Sequence, residues 1–342
     1  MTPAVRLAPA ATRGVGAPGN RGGQPPEVER GGSVVDQLPD HRQSKDRDAM
    51  LDANTCWFVG AVLFIGVVAV GGAAVGRGAL GAVRASVGAA VAWMLAWAWL
   101  VHHPDVALKF IPVELLSRIE GFGGVPAFMF LLGVLWSRTR LSRQRVVVVW
   151  AAAFGGIYFV NGGLWLLQDT PTSVMGHTYA DATTGVVLQT QDYSCVPASC
   201  ATALNLLGLP STEAQMARLT DTRPGTGATV LRALRGLNKR LDGSPLRARL
   251  LALTAQGVQH LKLPALTPLQ HERTRRHMVV ILACNDRGVW LMDPMTGLDQ
   301  MDIEAFRSVF VGQVIVFDGP RRFAAGGGAE LAADTVTAAT PR

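Results

Sequence analysis

Residues 189–198 read QTQDYSCVPA, and the cysteine in that string has the surroundings of a nucleophile. Cys195 stands just ahead of a stretch, 196–207, that reads as a helix: Pro197 suits a first turn and Gly208 suits an end. A thiol at a helix N-terminus meets free N–H groups and the positive end of the helix dipole, and both favour the thiolate. Gln189 lies six residues earlier and can add a side-chain N–H to the backbone N–H of Cys195, an oxyanion hole for acyl transfer. Such a thiol needs a base. HMVVILAC at 277–284 and GVWLMD at 288–293 read as two strands joined by an NDRG hairpin turn. His277 opens the first strand and Asp293 ends the second, so the hairpin matches them to within about three residues at one end of the sheet. A carboxylate there fixes the imidazole tautomer and favours the imidazolium.

Other residues of chemical interest carry less. Cys200 falls inside the helix and Cys284 at a strand end, where a small buried thiol is the expected role. Cys56 borders an apolar run, and no CxxC pair supports a zinc ribbon or a redox site. Gln191 is a second candidate donor behind Gln189, and Asp192 and Tyr193 shape the loop before the helix. HERTRRH at 271–277 resembles a zinc motif, but its histidines are six apart and point to different sides of a helix. His260 and His271 read as surface or loop residues, and GTGAT at 225–229 as a turn. No metal and no cofactor is expected.

The elements that position these residues form an α+β pattern over 183–320. A second helix starts near Thr212, where TEAQ fits a capping box, and a third is TVLRALRGLN at 229–238. Further strands are LRARLLAL at 246–253 and QVIVFD at 313–318. Ahead of this domain the 342-residue chain is unusually apolar: 49% of residues are hydrophobic and 17% charged, with the excess between about 56 and 168. Residues 56–76, 85–101 and 146–168 read as membrane spans. Residues 121–136 are short for one and contain Pro126, so three or four spans fit. Residues 1–50 and 324–342 read as disordered tails, 170–182 as a polar linker, and the first apolar run comes too late for a signal peptide. The charge of +7 is arginine-rich and accompanies no nucleic-acid motif, so nucleic acid is not an expected partner. SRTRLSRQR at 137–145 favours the cytoplasmic side, which would put the C-terminal domain on the extracytoplasmic side of a multi-pass membrane protein.

QTQDYSCVPA, HMVVIL at 277–282, MDPMTG at 292–297 and the ending IEAFRSVFVGQVIVFDG at 303–319 together resemble the C39 family of cysteine peptidases. The resemblance covers less than half of the chain. It implies a papain-like α+β fold and hydrolysis of peptide bonds without a cofactor. Its nucleophile maps to Cys195, its base to His277, its orienting acid to Asp293 and its oxyanion glutamine to Gln189. It further implies a peptide or leader-peptide substrate, with a transporter on a separate polypeptide as a candidate partner beside membrane lipid. Ser194 and Val196 depart from the Asp and Gly usual in transporter-linked members. No P-loop is present, so the ATPase half of those members is not expected here. A degenerate peptide-binding module and a transamidase using the same Cys–His pair are the alternatives.

Overall fold

The computed structural model describes residues 41–163, 170–178, 184–270 and 276–320. Both tail expectations therefore lie largely outside the described residues. The exception is 41–50, which belong to a helix rather than a tail: α1 runs His41–Gly76. No proline or glycine interrupts the chain between Pro39 and Gly60, so nothing stops the helix from extending.

Among the described residues, three helices are long and apolar enough to cross a membrane: Thr55–Gly76 within α1, α2 (Leu80–His102), and Ser142–Asn161 within α6 (Ser142–Gly163). Residues 164–168 of the expected last span lie outside the described residues. Residues 121–136 become α5 (Val125–Arg138), whose 14 residues reach about 21 Å, short of a bilayer core of about 30 Å. Pro126 sits in its first turn, where a missing N–H costs nothing. Two short helices, α3 (Pro104–Ala107) and α4 (Val113–Ile119), connect α2 to α5. Small residues let the backbones approach: a Cβ on Gly72 of α1 would meet the Phe130 carbonyl, and one on Gly133 of α5 the Ala69 carbonyl. The arginine-rich loop lies at one end of these helices, where the Arg138 guanidinium donates to the Gly76 and Gly78 carbonyls.

The C-terminal domain is α+β. Its helices are α7 (Cys195–Leu206), α8 (Glu213–Leu219), α9 (Val230–Arg240) and α10 (Ile303–Val309). Its strands are β1 (Arg247–Ala252), β2 (Ala265–Gln270), β3 (Arg276–Cys284), β4 (Gly288–Asp293), β5 (Gly297–Asp302) and β6 (Gln313–Asp318). They form one antiparallel sheet in the order β1-β6-β2-β3-β4-β5. Helices α7 and α9 cover one face, burying Leu204 and Leu237 against Val280 and Ile315. On the other face Phe306 of α10 packs with Val279, Ile281 and Val314. With both faces covered, β3 is a continuous apolar run rather than an alternating one. The expected capping box at Thr212 is present, with the Gln215 N–H on the threonine hydroxyl and the Gln215 side chain returning to the Thr212 N–H.

Two strands have no clear signature in the sequence. ALTPLQ (β2) contains Pro268, which argues against an inner strand. Its ladder with β6 is short, at Leu266↔Ile315, and the Thr267 hydroxyl supplies a bond to the Gln313 carbonyl at 2.9 Å. GLDQMD (β5) is polar because it is an edge strand facing solvent. The stretch 170–178 is polar but not detached: Met175 is buried beside Ala214 and Ala217, and the Gly176 N–H donates to Glu213 at 2.8 Å.

Candidate active site

Cys195 is the first residue of α7. Ser194 precedes it without capping the helix; its hydroxyl donates instead to the Gln191 carbonyl at 2.8 Å and accepts the Gln191 N–H at 3.1 Å. That tight loop leaves the first N–H groups of α7 uncapped by a side chain, the condition for holding developing negative charge. The helix is fixed to the strand that carries the histidine, since the Ser199 hydroxyl donates to the Met278 carbonyl at 2.8 Å.

His277 is nearly buried at the start of β3, and its Nε2 lies 2.8 Å from Asp293 Oδ1. The hairpin register explains the meeting: Val280 pairs with Met292, so His277 and Asp293 sit two residues out of step at the same sheet end. With Nε2 on the carboxylate, Nδ1 is the ring nitrogen left to serve the Cys195 thiol, which lines the same cleft. Burial opposes charge on the ring, but the Asp293 and Cys195 hydrogen bonds and charges outweigh it and raise the His277 pKa to about 9. Asp293 is held below the usual carboxylate value: burial pushes it up, and the His277 bond with the Met295 and Thr296 N–H groups pulls it down further.

Gln189 is strapped to the same corner by its N–H, which donates to the Pro294 carbonyl at 2.8 Å. Its Nε2 donates to the Gln191 carbonyl at 3.0 Å, and an amide nitrogen has a second proton to give. Its Oε1 is buried without a partner among the described residues. Gln191 itself turns away, donating to the Val174 carbonyl at 3.1 Å. Cys200 is fully buried, and burial pushes its thiol pKa up, as it does for Cys284. His260 is exposed, and residues 271–275 of HERTRRH lie outside the described residues.

Gln189, Cys195 and His277 open together into a cleft of about 500 Å³. Asp192 and Tyr193 line it from the nucleophile loop and Met295 from the Asp293 turn. The facing wall is Gly225–Val230, the turn expected at 225–229 together with the first residue of α9. Its glycines could have been noticed, but only packing shows that they face a thiol. Gly227 has φ +66°, and a Cβ there would lie 2.9 Å from the Tyr193 carbonyl, so glycine permits the wall to close on the nucleophile loop.

An imidazole 2.8 Å from a carboxylate, in an open cleft with a thiol beside uncapped N–H groups, is the arrangement that thiol-dependent acyl transfer requires. The comparisons agree with the class: residues 183–321 match the Peptidase C39 family model, and the chain belongs to that family through this domain. An uncharacterised protein of Methanothermobacter thermautotrophicus strain Delta H is 33% identical over 135 residues, covering 40% of this chain and 89% of that protein. One of Methanothermobacter marburgensis strain Marburg is 29% identical over 140 residues, covering 39% and 87%. Among solved structures, the peptidase domain of Streptococcus ComA, a bifunctional ABC transporter involved in quorum sensing, aligns at 20% identity. It covers 40% of this chain and 98% of that one, with a TM-score of 0.36. A double glycine motif protease from an AMS/PCAT transporter, in complex with its leader peptide, aligns at 20% identity over 43% and 99%, with a TM-score of 0.34.

Proposed function

We propose that the chain is a membrane-anchored cysteine peptidase. The observation that carries this reading is the His277–Asp293 pair at 2.8 Å, with His277 and Cys195 lining one cleft. With its pKa near 9, His277 is an imidazolium at neutral pH, the partner a thiolate needs. The Cys195 sulfur attacks a peptide carbonyl, and the oxyanion is held by the Cys195 N–H and the second Gln189 Nε2 proton. His277, oriented by Asp293, gives its proton to the leaving amine. It then takes a proton from the water that releases the acyl group. The substrate class is a peptide entering the open cleft.

The test is the alkylation rate of Cys195 against pH in the full chain in detergent micelles, followed by peptide mapping. At neutral pH the wild type is expected to react about tenfold faster than His277→Ala, because the imidazolium is the partner of the reactive sulfur. Equal rates for the two would sink the reading.

The same proposal places the C-terminal domain outside the cytoplasm. Arg77, Arg138, Arg140, Arg143 and Arg145 gather around the α1–α2 and α5–α6 turns, and such clusters stay inside. The C-terminal domain instead meets the α3–α4 connection that follows the other end of α2. A cysteine-free reporter fused after residue 170 should be exported; a cytoplasmic signal there refutes the orientation.

A further inference from the structure

The helical region does more than tether the domain. Its α4 segment reaches α9, and the main core of the domain continues into it through Leu116, Ala107 and Trp97. Polar contacts at this junction converge on one feature, the cleft wall. Thr229, the last wall residue before α9, caps that helix by accepting the Arg232 N–H at 3.3 Å. The same hydroxyl donates to Glu120 Oε1 at 2.6 Å, in the turn between α4 and α5. Glu120 also lies 3.5 Å from the Arg232 guanidinium. A hydroxyl has one proton to give and lone pairs to receive, so Thr229 satisfies both bonds at once.

The other end of the wall is held from the same segment. Asp221 has φ +48°, in the left-handed region that aspartate tolerates better than most residues. Arg235 bonds its carboxylate, and Arg223 lies 4.0 Å from it. Arg235 in turn donates to Ser117 Oγ at 3.1 Å. Thus α4 and the turn after it grip 221–229 at both ends: Ser117 through Arg235 to Asp221, and Glu120 directly at Thr229. The wall between them touches the nucleophile loop where Gly227 meets the Tyr193 carbonyl.

We infer that Glu120, in the helical region, is a positioning residue of the cleft: with Ser117 it sets the wall 225–230 against the Cys195 loop. This rests on the peptidase reading for its consequence but not for its geometry. Removing the clamp would leave the thiol and its histidine intact while loosening the surface that holds a peptide in register. A loss of orientation of this kind slows reactions that need a docked substrate and spares those that do not.

The test uses the full chain in micelles with Glu120→Ala and Glu120→Gln. Two reagents are compared at Cys195: iodoacetamide, which needs only the thiolate, and a dipeptidyl chloromethyl ketone, which must occupy the cleft. Hydrogen exchange is followed at the protected amides of Arg223, Gly227 and Arg232. Glu120→Ala should leave the iodoacetamide rate within about twofold, lower the peptidyl rate about tenfold, and speed exchange at these three amides with β3 unchanged. Glu120→Gln, which keeps an acceptor for Thr229, should lie between. Unchanged exchange and an unchanged peptidyl rate overturn the inference. So does equal slowing of both reagents with faster exchange in β3, which would mean that Glu120 serves the fold as a whole. If the wild-type thiol shows no activation, the peptidase reading fails separately, and the exchange data still decide whether Glu120 holds the wall.

Discussion

The two regions of this protein are built from similar apolar residues turned in opposite directions. In the long helices, Leu63, Val67, Val70 and Phe154 are each more than half exposed, while the small residues Gly72 on α1 and Gly133 on the shorter α5 face the neighbouring helix. In the C-terminal domain the large apolar side chains point inward. There the large exposed ones among the described residues are Val174, Leu188 and Met295, of which Met295 lines the cleft. The difference fits the two surroundings that the proposed membrane anchoring gives these surfaces. An outward apolar helix face is stable against lipid, where association comes from close backbone packing rather than from expelling water. An inward one is stable because water is excluded from it.

This contrast can be broken by matched truncations. The largest effect is expected for Phe306→Ala, whose ring is 0% exposed beneath the sheet: about 3–5 kcal/mol, read from the unfolding midpoint of the C-terminal domain in the full chain in micelles. A smaller effect sharpens the site within that domain. Asp293 stabilises the imidazolium, so Asp293→Asn must lower the His277 pKa. The ring titration followed by NMR should move from about 9 downward by a unit or more, about 1.4 kcal/mol. An inflection that stays near 9 would mean that the carboxylate is not what holds the proton. The smallest effect is expected for Leu63→Ala, 65% exposed on α1, within about 0.5 kcal/mol in the same micelle assay. A cost near that of Phe306→Ala would show that the α1 face packs against protein rather than lipid.

Much of the site was legible before the fold was known, because its parts are local. A helix start, a hairpin and a capping box are short-range signals, and each was enough to place Cys195, His277 and Thr212 on the right element. Strands β2 and β5 escaped notice for the same reason in reverse: Pro268 and the polar run GLDQMD make sense only beside the neighbours they pair with. The length of α5 followed the same rule. Apolar composition over 121–136 suggested a span, whereas the turn at 121–124 and the proline start at Val125 shorten the helix to 14 residues.

The sequence by itself determined which elements carry the thiol, the histidine and the carboxylate, since a helix start and a hairpin can be recognised from residue types and spacing. It also determined which stretch is apolar enough for a membrane. Only the tertiary structure decided what faces the thiol. The wall 225–230, the strap from Gln189 to Pro294 and the bond from Thr229 to Glu120 join residues far apart in the chain, the last across 109 positions. Such contacts have no local signature, because loop closure and packing, rather than backbone preference, bring their partners together.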